Sequence, residues 1–120
     1  MLEYGTLLDE ALNKLPDFKK EYNKLISEDE IDKESGNHIV FGYAFVPVIV
    51  KAIKENNTIT RDAMFGFLEQ MASSDDIKVV EVCDQSVLEA LYGEFDEKTI
   101  LPYMGKKTKE GFMAVKEYMY

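Results

Sequence analysis

The chain has 120 residues, of which 46% are hydrophobic and 12% aromatic, and a formal net charge of −9 at pH 7. This length and apolar content predict one compact domain with one core and exclude disorder as the default state. The negative charge excludes nucleic acid and an anionic membrane as direct partners, and a single cysteine excludes an internal disulfide and fits a reducing cytoplasm.

The N-terminus, "MLEYGTLLDE", carries an acid at position 3 and no basic segment, so no secretory signal is expected. Leu7, Leu8, Ala11, Leu12 and Leu15 form a first helical stripe, which Pro16 ends while opening the next helix. Phe18, Tyr22, Leu25 and Ile26 form the second stripe. Ser27 to Asn37, "SEDEIDKESGN", holds five acids, one lysine and one glycine, and reads as a solvated loop between packed parts. Ile39 to Val50 is the longest uncharged apolar run. Gly42 and Pro47 interrupt it, which leaves it too short for a bilayer span. It is expected to be a helix kinked at Pro47, or a turn followed by a helix from Pro47, with a strand as the rival because of its β-branched residues.

Thr58 or Thr60 is the expected cap of the next helix, with Ile59, Ala63, Met64, Phe67, Leu68 and Met71 on its packed side. Ser74 or Asp75 is expected to cap a helix of about five turns along Val79, Val80, Cys83, Val87, Leu88 and Leu91, ended by Gly93. A short helix is expected from Asp96 to Met104, closed by Gly105, and a last one carries Phe112, Val115, Tyr118 and Met119. No segment alternates with period two for long, so the predicted fold is all-α, a single domain over residues 1–120 with about six or seven helices.

Charge is unevenly spread. Residues 69 to 97 hold nine acids and one base, Lys78, and so carry −8 of the total −9. A concentrated field of one sign attracts partners of the other. On a helix, Lys78, Glu81, Asp84, Gln85 and Glu89 share the polar half. Glu81, Asp84, Glu89 and Glu94 are therefore the candidate contacts for a basic protein partner, with tyrosines nearby as interface anchors.

Asp76, Val79 and Val80 near the start of a helix, followed by "VLEALYG" at its end, make residues 57–93 resemble one helical hairpin of the HEAT/armadillo type. The resemblance implies stacked helices and a protein-binding surface. In size and composition the whole chain also resembles the small acidic helical proteins that bacteria use as immunity or regulatory partners.

Catalytic signals are sparse. His38 is the only histidine, so no histidine pair can bind a metal. Cys83 lies on an apolar stripe beside Glu81 and Asp84, which disfavours a thiolate. No Gly-rich phosphate loop, nucleophile elbow, EF-hand spacing or cysteine cluster is present, and neither a cofactor nor a metal is expected. The sequence reads best as a non-enzymatic acidic binding module of the cytoplasm, an inhibitor of immunity or antitoxin type in its sharpest form. The alternative is a small-ligand-binding or enzymatic helical domain with a pocket near His38, Phe41 and Tyr43.

Overall fold

A computed structural model describes residues 1–119, without the side chain of Met119, so the place expected for Met119 on the last helix lies outside what is described. Seven helices and no strand occur among these residues. They are α1 (Leu7–Lys14), α2 (Pro16–Ser27), α3 (Asn37–Lys54), α4 (Thr58–Ala72), α5 (77–94), α6 (Glu97–Ile100) and α7 (Lys106–Met119). Single 3-10 turns precede α1 and follow α6.

Pro16 fills the first turn of α2, where its missing N–H costs nothing. Gly36, at φ 85°, makes the turn into α3, a backbone region closed to most side chains. The loop before it is not fully solvated: Ile31 is buried in the core.

The rival strand at Ile39 to Val50 is absent, and Gly42 and Pro47 do not break the helix. Instead α3 widens into a π-helical turn over Phe41–Phe45, where the Val46 N–H bonds back to the Phe41 carbonyl. Widening the turn just before Pro47 accommodates a residue that lacks an N–H and would otherwise crowd the preceding turn. The resulting helix of 18 residues is long and apolar enough to pass for a membrane span, and 44% of it is buried inside the domain. Its inner side carries Phe41 and Phe45, which stack at 5.0 Å and meet Phe18 of α2 at 5.5 and 5.4 Å. Phe67 of α4 joins them, 6.2 Å from Phe45.

In α4 the packed side is Thr60, Met64, Phe65, Phe67, Leu68 and Met71, whereas Ile59 is 84% exposed and Ala63 is also exposed. The cause lies in the first turn. The Thr60 hydroxyl donates to Asp17 of α2 at 2.6 Å, which turns Thr60 inward and Ile59 outward. The cap is Asn57, which accepts from the Thr60 N–H, rather than either threonine.

In α5, Val79, Val82, Cys83, Val87, Leu88 and Leu91 are buried, and Val80 is displaced to a half-buried position. Past it the helix widens into a second π-helical segment, Val82–Leu88, ending with the Glu89 N–H on the Asp84 carbonyl. The N-cap is Asp76, not Ser74 or Asp75: it accepts from the Lys78 N–H and also from the Tyr4 N–H at 2.8 Å, tying the N-terminus to α5. Gly93 sits inside the last turn, and the chain leaves the helix at Phe95, in extended conformation. Phe112 and Val115 of α7 are buried as expected, but Tyr118 is 86% exposed.

Candidate functional site

Two wide turns meet in this fold. The π segments of α3 and α5 pack against each other, and Gly42 lies at the contact, where a Cβ would stand 3.8 Å from the Ser86 carbonyl oxygen. His38 Nδ1 and Ser86 Oγ are 2.7 Å apart across the same seam. At its far end Lys54 of α3 pairs with Glu94 of α5 at 3.4 Å. π-turns inside α-helices are often found at functional sites. Here they also set the register of everything displayed around them.

Of the nine acids of residues 69–97, Asp75 and Asp96 are exposed just before and just after α5, and the other seven divide into two groups. The Glu69 carboxylate lies across the start of α7, accepting the N–H groups of Lys107 and Thr108 at 3.0 and 2.9 Å and the Thr108 hydroxyl at 2.8 Å. Burial raises its pKa, but these hydrogen bonds and the Lys107 charge outweigh that and hold it below the ordinary glutamate value. Gly105 makes the arrangement possible, because a Cβ there would lie 2.5 Å from the carboxylate. Asp76 is used as a cap, Glu94 faces Lys54, and Glu97 pairs with Lys116 of α7 at 2.5 Å. These four acids serve the fold.

Glu81, Asp84 and Glu89 make no ion pair among the described residues. The one base in the stretch, Lys78, has its ammonium 5.8 Å from the Tyr4 ring. Asp84 is half-buried against α7, where Gly111 admits it: a Cβ at Gly111 would lie 2.8 Å from Asp84 Oδ1. Burial, and then the Glu89 charge, push the Asp84 carboxyl above its ordinary pKa. Asp84, Gln85 and Glu89 line an open groove of about 550 Å³ with Ala114, Val115 and Tyr118 of α7. Of the four acids expected to form a face, the structure places Asp84 and Glu89 at this groove, leaves Glu81 exposed on α5 outside its lining, and pairs Glu94 with Lys54 at the α3 seam.

The alternative trio does not converge on a cavity. Phe41 is fully buried in the aromatic cluster, while Tyr43 is 61% exposed and His38 is exposed. Only His38 meets another polar side chain, that of Ser86, a residue 48 positions away that no sequence motif ties to it. A Ser–His pair acting as nucleophile and base needs a third group to orient the histidine and donors for an oxyanion. His38 has no such third partner among the described residues. Cys83 is fully buried, and burial, then the charges of Asp84 and Glu69, push its thiol pKa far up, which disfavours the thiolate. No group of three His, Cys, Asp or Glu side chains that could hold a metal occurs among the described residues.

The wide turns did leave a signal in the sequence. Asn37, Phe41, Phe45 and Ile49 are all buried at steps of four, and so are Val79, Cys83, Val87 and Leu91. An ordinary helix of 3.6 residues per turn drifts off such a row, and a π-turn absorbs the drift.

Neither a search of curated proteins nor one of solved structures gave a match. A family model described as "Domain of unknown function (DUF7674)" matches residues 8–119, nearly the whole helical array, and the chain belongs to that family.

Proposed function

We propose that this protein is a non-enzymatic acidic binding module, and that the face of α5 beside α7 receives a basic protein partner. The observation that carries the reading is the division of the acids. In a stretch where Glu69, Asp76, Glu94 and Glu97 are engaged with the fold, Glu81, Asp84 and Glu89 stay unneutralised, with Asp84 and Glu89 repelling each other. A basic side chain placed there relieves that repulsion. Tyr118, 86% exposed at the edge of the same groove, offers a rigid amphipathic ring to the same partner.

The mechanism is occlusion with electrostatic steering: the acidic face accelerates encounter, and the bound module covers the partner's basic surface. In its sharpest form the protein is an immunity or antitoxin-like inhibitor of a basic domain in a reducing cytoplasm. A basic toxin-like reading frame beside its gene would support that form.

The test is a pull-down from the native host with the wild-type chain and with a Glu81→Lys/Glu89→Lys variant. A basic protein retained by the wild-type alone, associating more slowly as salt rises, is the expected result. Equal retention by both baits, or an on-rate flat in salt, contradicts the reading, because exposed charges are screened over about 8–10 Å at physiological ionic strength.

A further inference from the structure

The buried rows at steps of four have counterparts on the outside. In α3, Ile39, Tyr43 and Pro47 follow one another at steps of four, and all three are exposed, Ile39 at 47% and Tyr43 at 61%. In α5, Glu81, Gln85 and Glu89 also follow one another at steps of four, Glu81 and Gln85 exposed and Glu89 half-buried. The wide turns straighten each row, so the two run side by side instead of winding away. Between them Gly42 on α3 meets Ser86 on α5, and the His38 side chain reaches Ser86 Oγ at 2.7 Å. The surface is thus a shallow furrow with one apolar bank and one acidic bank.

An uncharged bank with an exposed tyrosine does not explain itself as solvation. From His38 to Val50, α3 carries no formal charge with histidine neutral. We infer that the furrow between α3 and α5 receives an amphipathic helix of a partner protein, apolar toward Ile39 and Tyr43, with lysines or arginines toward Glu81 and Glu89. The inference rests on the acidic binding reading, keeps Glu81 and Glu89 as the acidic contacts, and sets the partner's apolar side against α3 instead of in the groove beside α7. Charge complementarity selects this occupant: Glu81 and Glu89 have no ion pair among the described residues, and Lys78 is drawn away toward Tyr4. A helix is the shape that presents an apolar stripe and a basic stripe side by side.

The probe is a labelled amphipathic helical peptide of leucine, lysine and alanine, about as long as the 18-residue α3. Its control has the same composition in scrambled order and no apolar stripe. Titrations followed by amide chemical shifts read both affinity and place. The patterned peptide is expected to bind about tenfold more tightly than the scrambled one and to shift Ile39, Tyr43 and Ser86. Tyr43→Ser and Ile39→Ser, both at exposed positions and checked for an unchanged melting midpoint, are each expected to weaken it by about fivefold. Glu81→Lys/Glu89→Lys is expected to weaken both peptides.

Equal binding of the two peptides, lost on charge reversal, overturns the furrow and leaves the acidic reading standing. Binding that ignores the charge reversal overturns both. Self-association of the protein alone that Tyr43→Ser abolishes assigns the furrow to a second copy and also overturns the inference.

Discussion

The loop of residues 28–36 and the stretch 69–97 are both rich in acids, yet the folded chain uses them differently. In the loop, Asp32 closes a local turn by accepting the Glu34 N–H at 2.8 Å, and Ile31 anchors the segment in the core. Glu28, Asp29 and Glu30 are exposed on a backbone with no regular structure. In the later stretch, four acids are engaged with the fold, Asp75 and Asp96 are exposed in the turns that flank α5, and three are left on a helix whose opposite side is core. A count of charges gives the same impression of both regions. What separates them is whether the unpaired acids stand on a rigid element, at fixed spacing, beside other groups a partner can touch.

The largest test of that difference is the core beneath the acidic row. Leu88→Ala should cost roughly 2–5 kcal/mol, because Leu88 is fully buried and leaves a cavity between α5 and α7. Chemical denaturation measures it. A cost under about 1 kcal/mol would mean that α5 is not the rigid support described here.

Next in size is Glu69→Ala, which removes the carboxylate lying across the start of α7. A loss of about 1 kcal/mol is expected, in the range of helix caps. Its pH dependence has a definite sign. The Glu69 carboxyl is held below its ordinary value of 4.5, so its contribution is fully present above that pH and fades as pH falls through the lower folded value. Wild-type stability should therefore drop toward acid more steeply than that of the variant, and parallel curves would contradict the assignment.

Asp84→Asn should act in the opposite direction. Burial and Glu89 disfavour the charged form of Asp84 in the folded state, so its ionisation costs stability as pH rises above the ordinary aspartate range. Neutralising it should stabilise the fold slightly at neutral pH, by less than about 0.5 kcal/mol, because the site is only half-buried and water still screens it. A clear loss would show that Asp84 has a stabilising partner and belongs with the structural acids. Smallest of all, Glu30→Lys in the loop should change stability by no more than about 0.5 kcal/mol, since Glu30 is exposed and has no partner among the described residues.

Much of this architecture was legible in the sequence, because the apolar stripes mark where helices lie and Pro16 marks where one gives way to another. The strand rival at Ile39 to Val50 arose from β-branched composition, which aromatic packing of Phe41 and Phe45 against Phe18 overrides. Faces were harder to assign. Ile59 faces water because a distant residue, Asp17, holds Thr60, and no local pattern announces that. The site was legible only as a region. Glu69 and Asp76 cap helices, and Glu94 and Glu97 meet lysines of other helices, contacts that sequence distance hides. The small residues Gly105 and Gly111 take their meaning only from the carboxylates they admit.

On the proposed reading the acids on α5, not the overall negative charge, make the binding face. Two variants of equal charge, Glu81→Lys/Glu89→Lys and Glu28→Lys/Glu30→Lys, separate these two causes. Each substitution adds two charges, so both variants move from −9 to −5. Their affinities for the patterned leucine–lysine helix are measured at one ionic strength beside the wild-type. Reversal on α5 should weaken binding by about tenfold, while reversal in the loop should leave it within about twofold, because charges beyond a Debye length are largely screened. Equal losses in the two variants would mean that net charge alone attracts the peptide, and α5 would then be a solvated surface.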